Sequence, residues 1–272
     1  MKQITQYNEI TAQMADIRSK RAGFLTNFFI GEKRGELLIN KELLYIVQYE
    51  NSIFILHKDD DFYHLYFMAT NIKQLHQALE QFNQEYSNLC CIVDIVGTQA
   101  VVEQLSTVFE EANFLPYQLL YRMQRVQNIN EPQTLDARVL VAQSYQAKEI
   151  QNLLTSYFDA YSEQLPLIEE IEQWIAHQTV LLISEGDTIV GFVIYEINGV
   201  TSYLRYWFTH PNYRNRKIGS ALLRRFFYES RHTQRQLFWV VADNENAIVR
   251  YQHYGFAQEQ LYDKILINFA IK

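Results

Sequence analysis

The sequence predicts an α/β chain of the α+β kind, with a mixed, mostly antiparallel central sheet flanked by helices, and three observations predict it. Short runs rich in Ile, Leu, Tyr and Phe alternate with segments of helical apolar period. The two halves of the chain show closely similar element orders. Between them, VQNINEPQTLD at 126–136 is polar, has no apolar period and contains Pro132, as a linker does.

The elements follow in order. After a helical stretch at about 8–21 come three strand-like runs, LLYIVQYE, SIFILHK and FYHLYFMA, broken at Glu50-Asn51 and at Asp59-Asp60-Asp61, which reads as a meander. Then come the helix-period segment NIKQLHQALEQF, the apolar strand run CCIVDIVG, the helix QAVVEQLSTVFEEANF and the closing strand YQLLYRMQRV. Beyond the linker, strand RVLVA leads to helical segments over 147–177 and to strands VLLIS, TIVGFVIYEI and TSYLRYWFT. Helix IGSALLRRFFYES, strand QLFWVVA, helix NAIVRYQHYGF and strand YDKILINF close the chain. FEEANFLPYQLLYRM aligns with YQHYGFAQEQLYDKI about 142 positions later, so an internal duplication is expected, with domains at 1–130 and 136–272.

Composition narrows the function classes. At 272 residues, 48% hydrophobic and 14% aromatic, the chain can bury sizeable cores and is not disordered. There is no run of eighteen apolar residues, and MKQITQYNEI lacks the apolar core of a signal peptide, so a cytoplasmic protein with no membrane partner is expected. Cys90 and Cys91 are adjacent and cannot staple distant segments, while seven scattered histidines form no metal-ligand spacing. No metal is expected.

Charge is unevenly placed. From Arg205 to Arg235 eight Lys or Arg stand against Glu229 alone, a local balance of +7 in a chain of net charge −7, so the remainder carries −14. Such focusing suits one polyanionic ligand; nucleic acid would call for a broader basic face and is not expected as a partner. In HPNYRNRKIGSALLRRF, Leu222, Leu223, Phe226 and Phe227 form one apolar helical stripe with Gly219 a turn earlier. A helix N-terminus exposes unpaired N–H groups and binds phosphate where the preceding backbone can come close, which Gly219 permits. Arg224, Arg225 and Arg231 read as solvated helix-face residues.

This stretch resembles the acetyl-CoA-binding motif of the GNAT superfamily of N-acetyltransferases, (Q/R)xxGx(G/A), with Arg214 first and Gly219 last. Lys217 replaces the first glycine; if that position needs positive φ, lysine costs about 1 kcal/mol there. About 25 residues on, VVADNENAIVRYQHYGF resembles the second signature of the superfamily through Asn244, Ala247, Tyr251, Gly255 and Phe256. Ala247 and Tyr251 lie one turn apart on one helix face. Gly255 also reads as a left-handed helix stop, with Phe256 covering the core.

The resemblance implies a GNAT-like fold and acetyl-CoA as cosubstrate. The pyrophosphate would rest on the N–H groups of Arg214, Asn215, Arg216, Lys217, Ile218, Gly219 and Ser220. The strand ending at Thr209 would splay from the one ending near Ala242 to admit the pantetheine arm, beside Asn244, Ala247 and Tyr251. A backbone N–H near Phe208 or Thr209 would hold the oxyanion, and Tyr251 would protonate the departing thiolate. The acceptor would be a primary amine. TSYLRYWFT carries no carboxylate for a base, so Glu196 on the neighbouring strand, or a water chain, is the candidate. The first half, with YFMATNIKQLHQ in place of the basic loop, reads as a degenerate GNAT-like domain. Two rivals stand beside this reading: a catalytically silent acyl-CoA-binding or regulatory protein, and a transferase drawing on aminoacyl-tRNA. Acceptor identity and oligomeric state have no signature in the sequence.

Overall fold

A computed structural model describes residues 1–126 and 135–270. Most of the predicted linker at 126–136 lies outside the described residues. The first half contains β1 (Lys2–Gln3), α1 (Tyr7–Ser19), β2 (Leu25–Thr26), α2 (Glu32–Asn40), β3 (Leu44–Gln48), β4 (Ser52–Asp59), β5 (Phe62–Ala69), α3 (Ile72–Glu85), β6 (Cys91–Gly97), α4 (Gln99–Glu111) and β7 (Leu115–Val126). The second contains β8 (Leu140–Val141), α5 (Ala147–Tyr157), α6 (Ile168–Ala176), β9 (Val180–Glu185), β10 (Thr188–Asn198), β11 (Thr201–Thr209), α7 (Ile218–Glu229), β12 (Arg235–Val241), α8 (Glu245–His253) and β13 (Ala257–Ile267). The fold is the mixed, mostly antiparallel α/β architecture that the sequence predicts.

Compactness and chain order divide the protein differently. One compact unit gathers Met1–Tyr121, Val241–Asp243 and Gln260–Lys272; the other gathers Arg122–Val240 and Asn244–Glu259. The first unit contains the predicted meander, β3, β4 and β5, all antiparallel. Its strand β6 pairs antiparallel with β13, from Tyr262 opposite Gly97 to Ile267 opposite Ile92, so the last strand of the chain completes the first sheet. Helix α2 has no apolar period in its sequence, because Gly35 sits at its centre. A Cβ at Gly35 would lie 2.4 Å from the Tyr7 ring, so the glycine is what lets α2 approach α1.

Strands β5 and β6 run parallel and pair only at Tyr63 opposite Cys91 and His64 opposite Ile92, although β5 continues to Ala69. The protein fills the resulting opening with its own chain. Leu25 and Thr26 of β2 pair with Ala69 and Met68. Next to them Asn27, 4% exposed, accepts from Phe67 N at 2.6 Å and donates Nδ2 to the carbonyls of Leu65 at 3.2 Å and Asp94 at 3.0 Å. One buried side chain thus satisfies polar groups of both parting strands.

The second unit repeats the plan with a different outcome. Strands β8, β9, β10 and β11 are antiparallel neighbours, and β12 runs parallel to β11 only from Thr201 opposite Arg235 to Tyr203 opposite Leu237. The β10–β11 register passes from Ile194 opposite Tyr206 to Tyr195 opposite Leu204, leaving Arg205 as the extra residue of a bulge. Beyond Tyr203 the β12-facing edge of β11 is open, and among the described residues no strand enters the gap. On one sheet face Ile150 and Leu154 of α5 and Ile171 and Ile175 of α6 pack with Phe192, Ile194, Tyr206 and Phe208. Leu222, Leu223 and Phe226 of α7 are fully buried on the other, each contributing roughly 1.5–3 kcal/mol. A Cβ on Gly191 of β10 would lie 2.6 Å from Ile218 and 3.1 Å from Leu222, so that glycine sets how closely the start of α7 approaches the sheet.

Candidate active site

The basic loop leaves β11 at Thr209, makes a 3-10 turn at Pro211–Tyr213 capped by His210, and enters α7. Asn215 has φ 67° and Lys217 φ 60°, with Arg216 between them in ordinary space, so the backbone alternates in sense. That alternation turns successive N–H groups toward one side, the arrangement of an anion-binding nest. Lys217 is the left-handed N-cap of α7 and does occupy the strained position. Ile218 is buried against Gly191, so only its backbone is offered to a ligand. The Ser220 hydroxyl accepts from Tyr254 at 2.8 Å, tying α8 to the first turn of α7.

The loop cations are not equivalent. Arg216 is bound to both carboxylate oxygens of Glu185, at 3.0 and 3.1 Å, and lies 4.9 Å over the Tyr213 ring. Among the described residues the exposed side chains of Arg214 and Lys217 join no ion pair. Farther along, Arg224 is an exposed residue of α7 as expected, whereas Arg225 is partly buried and pairs with Glu229 at 2.6 Å, and Arg231 lies in the turn beyond α7, stacked on Tyr228.

Helix α8 begins at Asn244, whose side chain accepts from Ala247 N at 3.2 Å. It ends with Gly255 at φ 84°, Gly255 N bonded to Gln252 O and Phe256 N to Tyr251 O, the left-handed stop predicted for it. Phe256 is buried against Phe238 and Phe227. Tyr251, one turn beyond Ala247, packs on Phe238 at 4.4 Å and on Trp207 at 5.5 Å. Burial, then the Glu163 carboxylate, push its phenol up to about 12, against the opposing charge of Arg250.

Trp207, which sequence reasoning did not single out, joins the two motifs. Its indole would lie 3.2 Å from a Cβ on Gly219, beside the Thr209 hydroxyl at 3.1 Å, and it also packs on the rings of Tyr251 and Tyr254 of the α8 segment. Its Nε1 is buried and has no hydrogen-bond partner among the described residues. Phe208 and Thr209 pair with Phe192 and Gly191 of β10 at the open end of β11.

Glu196 stands opposite Tyr203, accepts from Trp174 Nε1 at 2.8 Å and lies 3.8 Å from Arg205. Both of its oxygens are engaged. A different carboxylate, Glu163, contributes to the electrostatic field at Tyr251. It sits in the connection between α5 and α6, where Pro166 lies just ahead of α6 and Asp159 organises the turn by accepting from Ser162 Oγ at 2.6 Å and from Tyr161 N at 3.2 Å. The Tyr206 hydroxyl donates to the carbonyls of Glu163 and Gln164, each at 3.2 Å, fastening the connection to β11. Burial and then Asp159 push the Glu163 carboxyl up to about 7, opposed by Arg205. Glu163 escaped sequence reading because SEQLP looks like any polar loop.

Among the described residues no three His, Cys, Asp or Glu gather to hold a metal ion, and no helix is long and apolar enough to cross a membrane. A parted parallel strand pair thus carries a turn of alternating backbone sense after one strand and a phenol on the helix after the other. Residues 147–256 match the family model described as Acetyltransferase (GNAT) family, and this part of the chain is a domain of that family. The fold likeness extends over the whole chain. An acetyltransferase of the GNAT family from Colwellia psychrerythraea matches at TM-score 0.58 and 12% identity, covering 99% of each chain. A GCN5-related N-acetyltransferase from Sphaerobacter thermophilus matches at 0.57 and 13%, covering 80% of each. A tandem GNAT protein from the clavulanic acid biosynthesis pathway matches at 0.53 and 8%, covering 84% of this chain and 83% of that one. The first half is thus GNAT-like in fold as well. No curated protein matches the chain in sequence.

Proposed function

We propose that the chain is an acetyl-CoA-dependent N-acetyltransferase that acts on a primary amine in the cytoplasm. The carrying observation is the meeting of the 214–220 turn and Tyr251 on Trp207, beside an opening between β11 and β12 that no other segment fills among the described residues. Gly219 leaves room for an extended ligand, the alternating turn offers N–H groups to a diphosphate, and Arg214 and Lys217 supply counter-charge. The buried Trp207 Nε1 is a donor suited to an amide carbonyl of the pantetheine arm. Asn244 caps and Ala247 leaves space on the helix that presents Tyr251 to the sulfur. A backbone N–H at Phe208 or Thr209 serves the developing oxyanion. With Glu196 already engaged by Trp174 and Arg205, its role in this reading is to hold Arg205 at the bulge.

In the same reading domain 1–130 holds no coenzyme A, since Asn27 and β2 take the place a ligand would need. The test is calorimetry with coenzyme A and acetyl-CoA, followed by thiol release with a panel of primary amines. Binding at one molecule per chain and turnover with at least one amine are expected. Absence of heat with both ligands overturns the reading; binding without thiol release across the panel favours a silent acyl-CoA-binding protein.

A further inference from the structure

The basic segment that begins at Arg205 is not spent entirely on the phosphate turn, because Arg205 itself stands apart on β11. It is the extra residue of the β10–β11 bulge, and a bulge re-aims a side chain out of the strand's alternation. Arg205 Nε lies 3.8 Å from Glu196 Oε2, and the other oxygen of Glu196 accepts from Trp174 of α6 at 2.8 Å. Its next neighbour, Tyr206, is in the core beneath α5 and α6. The bulge therefore sends Arg205 to the α5–α6 face of the sheet.

There its donors are hardly used. A separation of 3.8 Å is an ion pair but too long for a hydrogen bond, so Glu196 sets the direction of the arginine without occupying its fork. The side chain is 39% exposed, and among the described residues its guanidinium donates no hydrogen bond. Arg216 and Arg122 differ, being bonded to Glu185 and Glu259. A guanidinium is a planar set of five donors shaped to grip a carboxylate through two of them.

The other lip of the opening carries a complementary group. Strands β11 and β12 pair last at Tyr203 opposite Leu237, and Arg205 and Trp239 each lie two residues beyond that pair. Tyr203 is opposite Glu196, so this pair belongs to the α5–α6 face, and strand alternation puts Trp239 there as well. Phe238 turns to the reverse face, onto Tyr251 of α8. Trp239 is 36% exposed. One lip thus offers unused charged donors and the other an uncovered indole.

We propose that the acceptor is an amine bearing a carboxylate and an apolar body, the class of the apolar amino acids. Arg205 takes the carboxylate, Trp239 the apolar body, and the amine is left to the opening. This rests on the acetyl-transfer reading and names its substrate class. The carboxylate makes and breaks no bond; it fixes which amines stay long enough to react. An amine without it leaves the fork unpaired, a discrimination of roughly 10–100-fold for hydrogen bonds between charged partners.

The experiment measures thiol release from acetyl-CoA with matched acceptors, phenylalanine beside phenylalaninamide and glycine beside glycinamide, in wild type, Arg205→Gln and Arg205→Lys. The acid-to-amide ratio of kcat/KM in each variant is divided by that of wild type, which cancels the different basicity of the paired amines. Arg205→Gln should lower the ratio roughly 10–100-fold, mainly through KM, and Arg205→Lys less, since lysine keeps the charge without the fork. Coenzyme A affinity by calorimetry should stay within about threefold in both, because the 214–220 turn is untouched. Trp239→Ala should raise KM for phenylalanine more than for glycine. A ratio that moves less than about threefold in Arg205→Gln overturns the carboxylate assignment and leaves acetyl transfer standing. An equal rise in KM for the two amino acids overturns the assignment of Trp239. A wild type that acetylates only amines lacking a carboxylate overturns the proposal alone, and one that binds coenzyme A yet acetylates no amine overturns the transfer reading with it. Should the glutamine variant not fold, the lysine variant decides: an unmoved ratio overturns the carboxylate assignment.

Discussion

Glu163→Gln makes a prediction that needs no substrate. The folded protein holds this carboxyl at about 7 rather than 4.5, so folding favours its protonated form. For a group raised in the folded state, the stabilising contribution is complete below the unfolded value and is lost as pH climbs through the folded one. At 1.36 kcal/mol per pKa unit, a rise of that size corresponds to about 3 kcal/mol lost by pH 8, but only about 1 kcal/mol by pH 5. Glutamine does not titrate. The variant should therefore gain on wild type by about 2 kcal/mol between pH 5 and pH 8. Trp174, Trp207 and Trp239 all belong to the second compact unit, so urea unfolding followed by tryptophan fluorescence reads the unit that contains Glu163. A stability difference equal at the two pH values would refute the desolvation of this carboxylate near Asp159.

Three other expectations follow from the same geometry. Tyr251→Phe should lower kcat by roughly 10²-fold or more while coenzyme A affinity stays within about threefold, since only the transition state uses the hydroxyl; steady-state kinetics beside calorimetry separates the two. Lys217→Gly should relieve the left-handed strain and add about 1 kcal/mol of stability, yet weaken coenzyme A binding several-fold at low salt by removing a cation from the turn. Asn27→Leu leaves Phe67 N, Leu65 O and Asp94 O without their buried partner and should cost about 3 kcal/mol or more, seen as faster amide exchange in β5 and β6, with coenzyme A affinity unmoved.

The longer strands were legible because their alternating apolar residues are buried on sheet faces, whereas the two-residue β1 and β2 are too short to show a period; α7 was legible because its stripe, glycine and basic approach coincide within one short segment. The end of α8 was legible for the same reason: Gly255 and Phe256 do locally what their types dictate. What could not be read lies in contacts between distant positions. Helix α2 is hidden because Gly35 answers to Tyr7 rather than to helix propensity. The plug at Asn27 is one amide in an apolar run, meaningful only beside carbonyls 38 and 67 positions away. Glu196 and Glu163 are both plain glutamates in sequence; Trp174 engages one, and burial close to Asp159 distinguishes the other. Lys217 is the intermediate case, since its departure from the motif raised the question of backbone strain and the left-handed φ answered it.

The pairing of β6 with β13 joins residues about 170 positions apart in the chain, as Ile92 opposite Ile267 illustrates. During synthesis, Cys91–Gly97 waits with an unsatisfied edge until Ala257–Ile267 has emerged to pair with it. Closing so long a loop makes assembly slow relative to proteins stitched by neighbours. Once closed, the same seam ties Ile92–Gly97 to a strand translated long after it, and removing Tyr262–Ile267 would undo structure encoded far upstream in the message.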